Sequence, residues 1–491
     1  MADHLDVRSG AYADSVSLMQ VSRRVGDVEG VSKALIAMGT ELNLDLLAGM
    51  GFARPDAGPN DLVVAIRAGS DDVLDAALAE LAAALAASRG GAGQASFGDA
   101  PPPRTVRDAA AFGGDLALIS VPGEHAYVEA IDALRSGLHV MVFCDNVPID
   151  AEVALKEEAV ELGLLVMGPD AGTAVVVGVG LGFANVVAPG PVGMVAASGT
   201  GAQQLTCLLD DVGIGVSHVL GVGGRDLTAA VGARSTLQAL AALDADPATE
   251  LIVLLSKPPD PAVADTVRAE VARLRTPVVT LLLGRGERDL TAAAAEVAAA
   301  RRIAFDEPRW WPATAQRSGP YDEVRGLFAG GTLCDEAMLI AVDAIGPVAS
   351  NVPLEPDWTL SQGLDTPGHV FVDLGEDEYT RGRPHPMIDQ SVRIDRIAAE
   401  AGRPGSRVLL LDVVLGHAAH PDPAGELAPA IAEAIASRKG ELAVVVSLCG
   451  SAGDPQDRDQ QARAFVDAGA SVHLSNAHAA RMAVALAGGG T

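Results

Sequence analysis

Aromatic side chains are scarce: Phe, Tyr and Trp make up 3% of the 491 residues, so an aromatic base-stacking platform is not expected. Cysteine is rarer still. Cys144, Cys207, Cys334 and Cys449 are scattered without paired spacing, which excludes a disulfide framework and a zinc motif. Positive charge is also thin, with 35 Lys and Arg against 64 Asp and Glu, a formal net charge of −29. Such a surface repels phosphate backbones and anionic lipid, so neither nucleic acid nor a membrane surface is expected as a partner. Any small anionic substrate must then be captured by local dipoles and a few cations. The opening MADHLDVRSG has no basic start followed by an apolar core, so no secretory signal is expected and a cytoplasmic protein is.

Hydrophobic residues, by contrast, make up 49% of the chain, which is enough for several buried cores and excludes disorder as the main state. At roughly 150 residues per domain, the length suggests about three domains. Residues 171–209 carry no charge, but glycines at 172, 178, 180, 182, 190, 193, 199 and 201 and prolines at 189 and 191 punctuate them. Short buried strands joined by turns fit this stretch better than a membrane span.

Apolar runs without polar alternation recur: DLALIS (115–120), HVMVFC (139–144), GLLVMG (163–168), VGMVAA (192–197), ELIVLLS (250–256) and PVVTLLLG (277–284). HVFVDLG (369–375), RVLLLDVVLG (407–416) and ELAVVVSLCG (441–450) follow. Runs of this kind, interleaved with amphipathic segments, indicate parallel sheets in an α/β protein. An Ala-rich helix at about 71–88 runs into the Gly- and Pro-rich RGGAGQASFGDAPPPR, and a second break lies near 304–320. With the proline-rich APGPVG (188–193), these breaks divide the chain into units at 1–187, 188–310 and 320–491. The last two share one plan. VGMVAASGTGAQQL matches RGLFAGGTLCDEAM, GVGGRDL matches DLGEDEY, and two long apolar strands follow in each.

The sharpest local feature is Ser198-Gly199-Thr200-Gly201 after a buried strand. A helix starting there presents free N–H groups and the positive end of its dipole, which suits phosphate or carboxylate. The alternative is an ordinary turn with a hydroxyl N-cap. Gly330-Gly331-Thr332 repeats the pattern. In Gly221-Val222-Gly223-Gly224-Arg225-Asp226, a glycine-rich loop with one guanidinium can close over a small anion, or Arg225 and Asp226 can pair. This loop is too short for the dinucleotide fingerprint, and no P-loop motif occurs. Lys257 ends a buried strand before two prolines, where it can meet phosphate or solvent. Arg381, Arg383 and His385 form a local cationic cluster in TRGRPHPMID, suited to an anion or to pairing with Glu376, Asp377 or Asp389. His417 and His420 lack an accompanying carboxylate motif, so no metal site is expected.

Read together, DSVSLMQVSRR (14–24), LLVMGPDAGT (164–173), GFANVV (182–187), AASGTGAQQL (196–205), GVGGRDL, VLLSKPP (253–259), AGGTLCDEA (329–337), DLGEDEYTRGRPHPMID (373–389) and LLLDVVLG (409–416) resemble the FdrA family, relatives of succinyl-CoA synthetase. The resemblance implies a Rossmann-like CoA-binding-type domain followed by two flavodoxin-like ligase domains, corresponding to α and β subunits fused in one chain. In the synthetases two helix N-termini face a shuttling phosphohistidine; Ser198-Gly199-Thr200 and Gly330-Gly331-Thr332 match those turns. The chain departs from that pattern at residues 284–289, GRGERD, where the phosphohistidine is expected and no histidine stands. It also has no room for an ATP-grasp domain and no evident Gly-rich CoA turn near its start, and Ala171 replaces a cysteine common in the family.

The family further implies a subunit of a carbamoyltransferase acting in anaerobic allantoin catabolism with unrelated partner subunits. The reaction moves a carbamoyl group between oxalurate and phosphate, giving oxamate and carbamoyl phosphate. Phosphate would then sit on the helix N-termini, neutralised by Arg383 or Lys257, with backbone N–H groups on the oxyanion. His385 would move the proton, since an unperturbed imidazole titrates near neutrality. The alternatives are an acyl-CoA ligase-like subunit that binds CoA and takes its nucleotide module from a partner, and a non-catalytic scaffold. Self-association is compatible with all three.

Overall fold

A computed structural model describes residues 2–9, 11, 15–90, 103–313, 323–381 and 383–488. It divides into two compact units, Met1–Ala109 with Thr380–Pro384, and Ala110–Tyr379 with His385–Thr491.

In the first unit the strand Leu62–Ala68 lies between Ala2–Arg8 and Val31–Met38, antiparallel to both. Its side chains alternate between two faces. Leu62, Val64 and Ile66 join Leu18, Val21, Val25, Ala77 and Leu81 of the helices Ser15–Gly26 and Asp71–Gly90. Val63 and Ala65 turn the other way, to Leu44, Leu47 and Phe52. The single Rossmann-like domain expected over residues 1–187 is therefore not one body. A separate antiparallel module ends by residue 109, and parallel strands begin at Leu116–Ile119.

The second unit holds three sheets in which parallel pairing prevails. Leu116–Ile119, His139–Val142 and Val166–Met167 form a small parallel one. In the next, Val216–Gly221, Pro189–Ala196, Leu251–Ser256 and Val278–Leu282 run parallel in that spatial order, and the hairpin Thr173–Val176/Val179–Gly182 extends the edge. The uncharged stretch is thus strands and turns up to Ser198, followed by most of the helix Gly199–Asp211, and no helix among the described residues is long and apolar enough to cross a membrane. This sheet already begins at residue 173, before the expected boundary at 188.

The third sheet orders Val370–Asp373, Glu323–Phe328, Ser406–Val414, Ala443–Cys449 and Ser471–His473, all parallel, with Trp310–Trp311 antiparallel at the far edge. Numbered along the chain, its five parallel strands stand 2-1-3-4-5, the flavodoxin-like order, and the second sheet repeats 2-1-3-4. The repeated plan read from the sequence is a repeated topology. Four helices, Gly199–Asp211, Leu290–Ala300, Gly331–Ile345 and Asn476–Leu486, lie between these two sheets. Their Leu205, Leu209, Val297, Leu333, Met338 and Ala480 share one core with both.

Candidate functional site

In open α/β sheets, ligands bind beyond the strand C-termini where the strand order reverses, between strands 1 and 3. The turn after strand 1 is Ser198-Gly199-Thr200 in one sheet and Gly330-Gly331-Thr332 in the other. Ser198 has an extended backbone, and its hydroxyl accepts from Gly201 N at 3.1 Å, capping the helix. No side chain caps Gly331–Ile345. Its turn is held from behind, where the buried Asp412 accepts from Ala329 N at 2.7 Å and Gly330 N at 2.8 Å. Burial pushes the Asp412 carboxyl up, while Arg393, 3.4 Å away, and the two amides oppose that shift.

The two turns meet. Ser198 Oγ and Thr332 Oγ1 lie 2.6 Å apart, so the positive ends of two helix dipoles converge on one point. The approach requires glycine: a methyl group on Gly201 would stand 2.5 Å from Ser198 Oγ and 3.0 Å from Thr332 Cγ2. Lys257, just after strand 3, forms an ion pair with Asp335, which begins the second turn of Gly331–Ile345. Burial alone would lower its pKa, but Asp335 and Asp373 outweigh burial and raise it, so it stays charged.

Asp373 closes the other side. It is 4% exposed; its Oδ1 accepts from Gly375 N at 2.8 Å. Its Oδ2 lies 2.7 Å from where a Cβ on Gly331 would stand. Burial pushes this carboxyl up to about 7; the Gly375 amide opposes the shift, and Glu376, Asp412 and Asp335 reinforce it. His385 Nε2 lies 2.7 Å from a Cβ position on Gly375. Its Nδ1 accepts from Met387 N at 3.2 Å, and its ring is 5.8 Å from that of Phe183. Burial, then Arg393, brings His385 down to about 4. The near-neutral titration expected of His385 is therefore found at Asp373. Further out, Asp170 is pushed up to about 6 by burial and then by Asp145 and Glu376.

The structure thus gathers Ser198, Gly199, Thr200, Lys257, Gly330, Gly331, Thr332 and His385 around one crevice. It uses Gly223, Gly224 and Arg225 differently. Arg225 donates to Val147 O at 2.8 Å and pairs with Glu152 at 2.8 Å. The fully buried Asp226 pairs with Lys156 at 2.8 Å and accepts from Thr236 N at 2.8 Å. Arg225 and Asp226 do not pair with each other because each has a nearer partner, and the loop is braced rather than poised to close. Arg381 and Arg383 are exposed, and Arg383 lies in the segment that groups with the first unit. Among the described residues no cluster could hold a metal ion. His420 Nδ1 accepts from Asp422 N at 3.0 Å. Residues 284–289 end in Asp289, which caps Leu290–Ala300 through Ala292 N at 2.7 Å. Asp335, Asp373 and Asp412 escaped the sequence reading, although two of them stand as lone acids in the apolar runs HVFVDLG and RVLLLDVVLG.

Residues 327–486 match the CoA-ligase family model, and residues 1–101 match that of the AllF, heavy metal-associated domain. YahF of Escherichia coli, an uncharacterized protein, is 36% identical over 98% of both chains. The succinate–CoA ligase (ADP-forming) α subunit of Methanothermobacter thermautotrophicus is 25% identical over 29% of this chain and 48% of its own, so the match spans about half of that relative. A solved dinucleotide-forming acetyl-coenzyme A synthetase of Ca. Korarchaeum cryptofilum, in complex with phosphate and ADP, is 16% identical over 76% of this chain and 84% of its own, with a TM-score of 0.30. Heavy-metal capture favours soft thiolate and imidazole donors. Residues 1–109 contain no cysteine and a single histidine, His4, so the first unit does not fit such a metal.

Proposed function

Because the chain belongs to the FdrA-like family of succinyl-CoA synthetase relatives, we propose that it is an acyl-CoA ligase-like subunit in which the paired helix N-termini hold the phosphate exchanged with an activated acyl group. The observation that carries this reading is the 2.6 Å contact between Ser198 and Thr332 at the reversal points of two sheets. Converging N–H donors bind a tetrahedral anion and stabilise the oxyanion that forms when it attacks a carbonyl carbon. Lys257 offsets the surrounding carboxylates. The nucleotide module and the phosphoryl carrier then come from a partner chain, since residues 284–289 offer no histidine.

That missing histidine also favours a second reading, direct transfer of a carbamoyl group between a small ureide and phosphate, which needs no carrier. Thermal-shift titration with CoA, inorganic phosphate, carbamoyl phosphate and oxamate separates the two, because a ligand of the native state raises its stability by mass action. CoA and phosphate are expected to stabilise the chain. Stabilisation by carbamoyl phosphate without CoA moves the assignment to the carbamoyltransferase. No shift with any of the four refutes an anion site in this chain.

A further inference from the structure

We propose that Asp373 is the proton carrier of this crevice: it takes up a proton when an anion docks at the Gly331 helix N-terminus and passes protons between phosphate and leaving group during turnover. The inference rests on the anion-site reading above and serves both of its substrates.

Three features of the geometry lead there. Asp373 Oδ2 occupies the approach to Gly331, where the uncapped helix presents its first amides. The side chain is 4% exposed, and among the described residues its only hydrogen bond is the one from Gly375 to Oδ1, which leaves Oδ2 facing the point where the helices converge. Finally, the groups facing it come from every surrounding element. They are Glu376 on its own loop, Asp335 and Cys334 on the helix, Asp412 on strand 3, Lys257 from the other sheet and the neutral His385 beside Gly375. Lys257 is the one cation among them, so an incoming dianion and an ionised Asp373 repel each other across the crevice. The carboxyl, titrating near 7, is relieved by protonation at modest cost.

The step balances without a further reactant. An oxygen of hydrogen phosphate bonds to the acyl carbon, and the carbon–X bond breaks, where X is thioester sulfur or ureide nitrogen. The phosphate's own proton moves through Asp373 to X, so an acyl or carbamoyl phosphate and X–H leave. A carboxyl whose pKa lies near that of phosphate exchanges the proton in both directions without a deep trap.

The test uses inorganic sulfate, a tetrahedral dianion with no proton to exchange near neutrality, alongside inorganic phosphate, with the full chain. Titration calorimetry in buffers of different ionisation enthalpy counts protons taken up on binding. Wild type is expected to take up close to one proton per sulfate at pH 8, with affinity falling about tenfold per pH unit above 7 and levelling below it. Asp373→Asn keeps the side-chain shape and removes the proton site, so uptake vanishes and affinity varies less than about twofold between pH 6 and 8. Asp373→Ser, which retains an oxygen near Gly375 N, provides a second, differently shaped variant that should behave alike. Proton uptake that persists in either folded variant overturns Asp373 as the carrier. If wild type binds sulfate without uptake, the inference falls while the anion site stands; if neither anion binds at pH 6, the functional reading itself falls.

Discussion

Replacing Lys156 by methionine tests how the second unit is braced. The ammonium is fully buried and donates to Glu152 at 2.8 Å, Asp226 at 2.8 Å and Val222 O at 3.0 Å, with both carboxylates at most 1% exposed. It joins three elements, the helix Ile149–Leu162, the end of Val216–Gly221 and, through Asp226, the start of Arg234–Ala245. Methionine fills the volume but leaves two buried carboxylates. Asp226 keeps its bonds from Thr236 N and Oγ1 at 2.8 and 2.6 Å, and Glu152 keeps only the partly exposed Arg225. Breaking a buried pair by removing one partner costs about 3–5 kcal/mol; Glu152 Oε1 and Val222 O lose the ammonium, while Asp226 Oδ1 keeps a bond from Ser235 N at 3.2 Å, so a loss within that range is expected. Thermal unfolding followed by far-UV circular dichroism should show a fall of order 10 °C. The double variant K156M/D226N should recover part of the loss, because asparagine still accepts from Thr236 N without a charge. A K156M chain that loses less than about 1 kcal/mol would show that the triad is not the brace described.

Glu336, 1% exposed and bonded to Leu290 N and Asn476 Nδ2, is pushed up to about 7 by burial. A carboxyl with a raised native pKa contributes stability that is complete below its unfolded value, near 4.5, and is lost as pH rises through about 7. E336Q should therefore flatten stability between pH 5 and 8 and exceed wild type at pH 8, as measured by urea unfolding. Gly201→Ala forces Ser198 from its cap and crowds Thr332; a loss of roughly 1–3 kcal/mol and of phosphate-induced thermal stabilisation is expected. If Lys257 acts by neutralising Asp335 and Asp373, K257M should weaken sulfate binding more at pH 8 than at pH 6, where Asp373 is protonated. Equal weakening at both pH values would show a direct lysine–anion contact instead.

Each of the nine apolar runs contains a strand; most are buried on both faces and so announce themselves by local composition, although Leu116–Ile119 leaves Leu118 exposed. The strands of the first unit do not announce themselves. Ala2–Arg8 mixes partly exposed polar and apolar residues, Val31–Met38 turns apolar only after Lys33, and Leu62–Ala68 between them is apolar but for Arg67. Its two antiparallel partners lie some thirty and sixty residues upstream, a non-local pairing that composition does not reveal. The Gly- and Pro-rich linker after the Ala-rich helix lies near the end of the first unit, whereas the proline-rich APGPVG, taken as the boundary, carried the first domain through to residue 187. Residues 91–102 of that linker lie outside the described residues.

The site shows the same division between local and non-local information. A small-residue turn that opens a helix after a buried strand is readable in Ser198-Gly199-Thr200 and again in Gly330-Gly331-Thr332, because strand, turn and cap are all local. That the two turns touch depends on four helices packed between two sheets, with Leu205 and Leu333 in one core. Proton affinities are less readable still. Histidine was expected to titrate near neutrality and aspartate well below it, but burial moves His385 down to about 4 and Asp373 up to about 7. The same desolvation, acting on groups of opposite charge type, exchanges their roles. An acid ending an otherwise apolar strand, as in VFVD, is therefore the more informative letter. It places a carboxyl at the C-terminal edge of a parallel sheet, where burial raises its pKa beside the N-terminus of the helix that follows the neighbouring strand.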